Sequence, residues 1–141
     1  MATYRPVGDE SSKTPLVLAA EDEEGVRAML GIALRAAGFD PFLCSDGQEA
    51  LEQLEAGLEP DLLLMDVRMP RMGGVELARR VRSEKRWDLI PLIAMSAYSD
   101  DLQEHEIKAA GADAFLPKPF TIADLRSMLS SLLPRDRRPA G

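Results

Sequence analysis

Between residues 15 and 133, short apolar runs alternate five times with amphipathic segments, and this alternation restricts the fold more than any other feature of the chain. The apolar runs cover residues 16–20, 41–44, 61–65, 90–95 and 114–116, and the intervening segments cover 23–37, 48–56, 75–83, 100–110 and 122–133. Runs this short, bounded by polar and turn residues, read as buried strands. Val26, Met29, Leu30, Ala33 and Leu34 recur at helical spacing, as do Ile122, Leu125, Leu129 and Leu132, so both stripes are expected to face a core. Strands separated by helices pair in parallel, and right-handed crossovers then lay helices on both faces of the sheet. The expected architecture is α/β: a three-layer αβα sandwich around a five-stranded parallel sheet.

The punctuation agrees with this reading. Gly38 and Gly111 follow helical segments as C-terminal caps, while Asp46 and Thr121 stand where helices begin. Residues 1–14 and 134–141 carry prolines and charges without apolar periodicity and read as flexible tails around one domain at 15–133. A chain of 141 residues, 45% hydrophobic, buries one ordinary core. The segment 99–108 offers only Leu102 and Ile107 to that core, placing its helix at the low-stability end of the fold.

Composition excludes several classes of function. No apolar stretch is long enough to span a bilayer, and the first residues lack a basic start and an apolar signal core. The single Cys44 has no internal partner, which fits the reducing cytoplasm. A net charge of −7 repels a phosphate backbone, and the basic cluster Arg135, Arg137 and Arg138 is broken by Asp136 and Pro139, so direct nucleic-acid binding is not expected. His105 lies between two glutamates with no second histidine in the chain and reads as part of a solvated helix. Trp87 reads as a loop anchor over the sheet edge.

Ligand sites of open parallel sheets lie beyond the carboxyl ends of the strands. Here Glu21 and Asp22 close the first run, Asp66 the third, Ser96 the fourth and Lys118 the fifth. Taken singly, an acidic residue after a strand is often only a helix cap. Together these residues gather at one rim. Crowded carboxylates repel one another unless a cation lies between them, and hard oxygen ligands with open positions suit Mg²⁺. Lys118 adds positive charge and Ser96 a hydroxyl, a set suited to phosphoryl chemistry.

The runs VLAAED, DLLLMDVRMPRMGG, PLIAMSA and GADAFLPKPF resemble the receiver domains of two-component response regulators over roughly residues 16–133. The resemblance implies a flavodoxin-like sheet with strand order 2-1-3-4-5 in a stand-alone, chemotaxis-regulator-like receiver. It implies that Asp66 accepts a phosphoryl group from the phosphohistidine of a sensor histidine kinase or histidine phosphotransfer protein. Glu21 and Asp22 are then the acidic pair serving Mg²⁺, with Asp66 and the backbone carbonyl of Arg68 completing its coordination. Lys118 matches the family's lysine before a proline, and the Lys118–Pro119 bond is commonly cis in the family, proline being the residue for which cis costs little. Met69, Pro70, Gly73 and Gly74 match the loop after the phosphoacceptor, where the glycines permit a tight turn.

By the same resemblance, Ser96 and Phe115 form the switch, the hydroxyl moving toward the phosphoryl group and the aromatic ring turning inward. Arg68 and Tyr98 hold positions that set phosphoryl lifetime. The fourth helix, fifth strand and fifth helix form the face for a downstream protein partner and for homodimerisation, and the first helix meets the phosphodonor. Glu21, Ser96 and Phe115 replace a commoner aspartate, threonine and tyrosine. The chemistry is expected to be signalling through self-catalysed phosphoryl transfer and dephosphorylation, not turnover of an external substrate.

Three rival readings apply. A phosphohydrolase working through an aspartyl intermediate lacks its second carboxylate, because Arg68 stands two residues after Asp66. A flavin protein of this topology needs a phosphate-cradling loop after the first strand, where EDEEG stands instead. A receiver-like adaptor that signals without phosphorylation is the strongest competitor.

Overall fold

The computed structural model describes residues 14–97 and 101–139. Five strands, β1 (Leu16–Ala20), β2 (Asp40–Cys44), β3 (Leu62–Asp66), β4 (Leu92–Ser96) and β5 (Ala114–Pro117), alternate with five helices. The helices are α1 (Glu24–Ala36), α2 (Gly47–Glu55), α3 (Gly74–Arg82), α4 (Asp101–Ala109) and α5 (Ile122–Ser131), with 3₁₀ turns at Lys85–Trp87 and Arg135–Arg137. All strand pairs are parallel and the order is β2-β1-β3-β4-β5, as the resemblance implies.

Alternate strand residues point to opposite faces, which divides the core in two. Leu18, Leu63, Met65, Leu92 and Ala94 pack with residues of α2, α3 and α4, including Leu51, Leu54, Leu77, Val81 and Ile107. Val17, Ala19, Leu62, Leu64, Ile93 and Met95 pack with Leu30 and Leu34 of α1 and Leu125 and Leu129 of α5. These two layers of helices cover strands that are nearly continuous apolar runs.

The helix signals hold at the ends. Asp46 caps α2 by accepting the Glu49 N–H at 2.8 Å, and Thr121 and Asp124 form a reciprocal capping box on α5. Gly38 and Gly111 take positive φ after α1 and α4. β3 and β4 each run one residue past the apolar pattern, because the ladder continues through Asp66 opposite Met95 and Ser96 opposite Pro117.

The α1 stripe needs correction. Leu30 and Leu34 are buried, but Met29 is 67% exposed, since the face meeting the sheet is centred on Leu30, Gly31 and Leu34. In α5, Leu125 and Leu129 are buried while Ile122 is 47% exposed. After α5 the chain turns back on the core: Arg137 Nη2 meets Asp61 Oδ2 at 2.7 Å, and that carboxylate also accepts the Leu16 N–H at 2.7 Å. Trp87 is buried as an anchor, with the Arg86 guanidinium 4.3 Å above its ring. Among the described residues no helix is long and apolar enough to cross a membrane.

Candidate functional site

Parallel registration brings the site residues to one rim. Ala20 pairs with Met65, so Glu21 and Asp66 emerge side by side from adjacent strands. The Glu21 N–H donates to the Cys44 carbonyl at 3.0 Å, continuing the ladder beyond β1. The Glu21 side chain is only 2% exposed, Asp22 is exposed and Asp66 lies between. Carboxylate oxygens of these three residues all fall within 4.8 Å of one another.

Lys118 arrives from the end of β5 and spans the width of β4. Its backbone N–H donates to the Ser96 carbonyl at 2.7 Å, and its Nζ donates to Glu21 Oε1 at 2.7 Å and Asp66 Oδ2 at 3.2 Å. The Lys118–Pro119 bond is cis. Burial alone would lower the pKa of this ammonium, but hydrogen bonding to Glu21 and the charges of Asp66 and Glu21 outweigh it and raise the pKa. Three carboxylates facing one ammonium leave a surplus of negative charge. An all-oxygen, incompletely enclosed set of this kind fits a hard divalent cation that keeps some of its water.

Arg27 on α1 supports the acidic pair from behind, its Nη1 donating to the Glu21 carbonyl at 3.0 Å and the Asp22 carbonyl at 3.3 Å. The sequence reading missed it, since an arginine on a helix gives no signal of where its guanidinium ends. Gln103 was missed for the same reason: the Ser96 hydroxyl, 3% exposed, donates to Gln103 Oε1 at 2.6 Å. Phe115 is 8% exposed and sits in the cluster that also contains Ile107 and Ala110. Arg68 is exposed beside an open groove between α3 and α4 that Gln103 also lines. Tyr98 lies outside the described residues, as does the side chain of Leu102.

In the loop after Asp66 the glycines act differently from expectation. The left-handed residue is Arg71, at φ 63°, whereas Gly73 has an extended backbone. A Cβ on Gly74 would lie 2.7 Å from the Asp66 carbonyl oxygen, and one on Gly73 would lie 2.9 Å from that of Val67. Glycine is required here for close approach of α3 to the strand end. Arg71 in turn donates to Asp46 at 2.6 Å. Burial pushes the Asp46 carboxyl up, but the bonds from Arg71 and the Glu49 N–H hold it below the usual carboxylate range.

Beside Lys118, an open groove of about 670 Å³ runs between α1 and the β5–α5 connection, lined mainly by apolar side chains that include Met29, Ile32, Phe120 and Ile122.

Comparison with known proteins is consistent across sequence and structure. Residues 17–130 match the family model described as the response regulator receiver domain. The chain is 37% identical over 121 residues to the response regulator MprA of Mycobacterium leprae, covering 86% of this chain and 52% of that protein. It therefore spans about half the length of such curated relatives. Among solved structures, the chemotaxis protein CheY4 of Vibrio cholerae superposes with a TM-score of 0.79 at 31% identity, covering 85% of this chain and 99% of that one. The receiver domain of a sensor histidine kinase from Pseudomonas aeruginosa, solved with a magnesium ion coordinated in its active-site cleft, superposes with a TM-score of 0.78 at 28% identity, covering 84% and 97%.

Proposed function

Because the chain belongs to the response regulator receiver domain family, we propose that it works in a two-component phosphorelay in which Asp66 accepts a phosphoryl group from a phosphohistidine. The observation that carries this reading is Lys118 Nζ bridging Glu21 and Asp66 in the midst of three converging carboxylates. A purely structural rim has no use for this clustering, because the buried Glu21 costs desolvation and each carboxylate repels the next.

In the transfer, an Asp66 carboxylate oxygen forms a bond to phosphorus in line with the breaking P–N bond, and the donor imidazole leaves with that bond's electrons and takes up a proton. Lys118 passes from Asp66 to an oxygen of the incoming group and offsets its charge. Glu21, Asp22, Asp66 and the Arg68 carbonyl would hold Mg²⁺, which supplies positive charge toward the phosphoryl oxygens. Arg27 keeps the Glu21 and Asp22 backbone in place. Later hydrolysis of the acyl phosphate resets the protein, with Arg68 and Tyr98 influencing its lifetime.

The donor is a sensor histidine kinase or histidine phosphotransfer protein, and the apolar groove beside Lys118 suits an amphipathic helix presenting the phosphohistidine. The signal leaves through Ser96 and Phe115 to the face formed by α4, β5 and α5, where a downstream protein or a second copy binds. The setting is the cytoplasm.

Incubation with acetyl phosphate and Mg²⁺, followed by intact mass, tests the reading. The expected result is one phosphoryl adduct that hydroxylamine releases and that is absent in Asp66→Asn and after chelation. Absence of an adduct, together with no binding of beryllofluoride, overturns it in favour of a phosphorylation-independent adaptor.

A further inference from the structure

We infer that Gln103 is a positioning residue that holds the Ser96 hydroxyl in the unphosphorylated protein, so that phosphorylation must break the Ser96–Gln103 hydrogen bond before Ser96 can serve the phosphoryl group. The inference rests on the reading of Asp66 as phosphoacceptor. A serine hydroxyl has one proton to donate. Here it is directed to Gln103 Oε1 at 2.6 Å, and a proton given to that oxygen is not available to a phosphoryl oxygen. The two bonds compete, and Ser96 is 3% exposed, so water does not readily replace whichever is lost.

The position of Gln103 links this competition to a helix. Gln103 and Ile107 stand four residues apart on one face of α4. Ile107 is fully buried, while Glu104, His105, Glu106 and Lys108 are partly or wholly exposed. Among the described residues of α4, the helix therefore meets the core through Ile107 and meets the site through Gln103. When a phosphoryl oxygen accepts the Ser96 O–H in place of Gln103 Oε1, the contact nearer the site is lost and the Ile107 contact remains. The Ser96–Gln103 hydrogen bond thus sets a threshold for the switch.

The test is beryllofluoride binding at saturating Mg²⁺, followed by calorimetry, in wild type, Gln103→Ala and Gln103→Met, each with and without Ser96→Ala. Methionine keeps nearly the size of glutamine without the acceptor, which separates packing from hydrogen bonding. Without the competing bond, both single variants are expected to bind beryllofluoride about fivefold more tightly, the change that one neutral hydrogen bond typically produces. Mg²⁺ affinity measured without fluoride should stay at the wild-type value. In the Ser96→Ala background the same substitutions should change nothing, a non-additivity that a general packing role does not produce. Wild-type affinity in both single variants, or an equal gain with and without Ser96, overturns the role of Gln103 alone. Failure of the wild type to bind beryllofluoride overturns the phosphoacceptor reading itself and this inference with it.

Discussion

The Lys118 ammonium lies between two carboxylates that repel each other across the rim, and removing it leaves both facing the same space without a counter-charge. Lys118→Met is therefore expected to weaken beryllofluoride binding by about tenfold or more, as loss of a charged hydrogen bond does, measured by calorimetry against wild type. The pH dependence of stability follows from two raised values. Lys118 titrates above the ordinary 10.5, so its stabilisation is complete below that value and is lost as pH climbs through the raised folded one. Cys44 behaves alike: burial first, then the charge of Glu49, push its thiol from 9.0 to about 12. The folded state keeps a proton that the unfolded chain releases, and stability falls as pH rises above 9. The urea midpoint by circular dichroism is expected to be level between pH 7 and 9 with respect to these groups and to decline toward pH 11. Cys44→Ala should flatten the first part of that decline, and an undiminished slope in this variant would refute the assignment. At this scale Glu21, Asp22, Asp66, Ser96 and Lys118 were legible because polar side chains interrupt apolar runs at matching strand ends. Arg27 and Gln103 were not, because a polar residue on a helix gives the same pattern whether it faces solvent or reaches into the rim.

Among the elements, α3 starts directly against the end of β3, with no room for a side chain at Gly74. A methyl group at Gly74 meets backbone at 2.7 Å, whereas one at Gly25 in the first turn of α1 meets nothing within 4 Å. Gly74→Ala is thus expected to destabilise by about 1–3 kcal/mol through overpacking and to displace Asp66, with weaker beryllofluoride binding. Gly25→Ala is expected to be neutral or to stabilise by up to about 1 kcal/mol through helix propensity; urea denaturation of the pair checks both. Asp46→Ala removes the α2 cap and the partner of Arg71 and is expected to cost about 1–2 kcal/mol. Sequence periodicity found α1 but misplaced Met29, because the pattern records which residues are apolar, not which neighbour covers them. The groove beside Lys118 leaves Met29 and Ile32 open, at 67% and 61% exposure. Glycines 73 and 74 were legible as special, but their reason, backbone approach to Asp66 and Val67, depends on packing that spacing alone does not contain.

Across the whole molecule, the two poles of the sheet do different work. The carboxyl ends of the strands carry the charged rim. The opposite pole holds Trp87, and there Arg82 donates to the carbonyls of Gly111, Trp87 and Ile90 and to the carboxylate of Asp113. Trp87 is the chain's one tryptophan, buried far along the sheet from the rim, so its emission should report unfolding and not site occupancy. Urea is expected to shift that emission to the red, while Mg²⁺ with beryllofluoride leaves it unchanged; a marked change on binding would show that the poles are coupled. The layered sheet was legible from alternation alone, whereas the contact of Arg137 with Asp61 joins residues 76 apart in sequence and left no local pattern. The same separation in sequence governs the rim: Lys118 reaches Glu21 across 97 residues and Asp66 across 52. Contacts between such distant segments close long loops of chain, at an entropic cost that grows with loop length. A chain emerging from the ribosome, or one partly unfolded, can carry the acidic residues of the first three strands while lacking the lysine from the last. The completed rim thus serves as a certificate that the last strand has joined the sheet beside the first and the third.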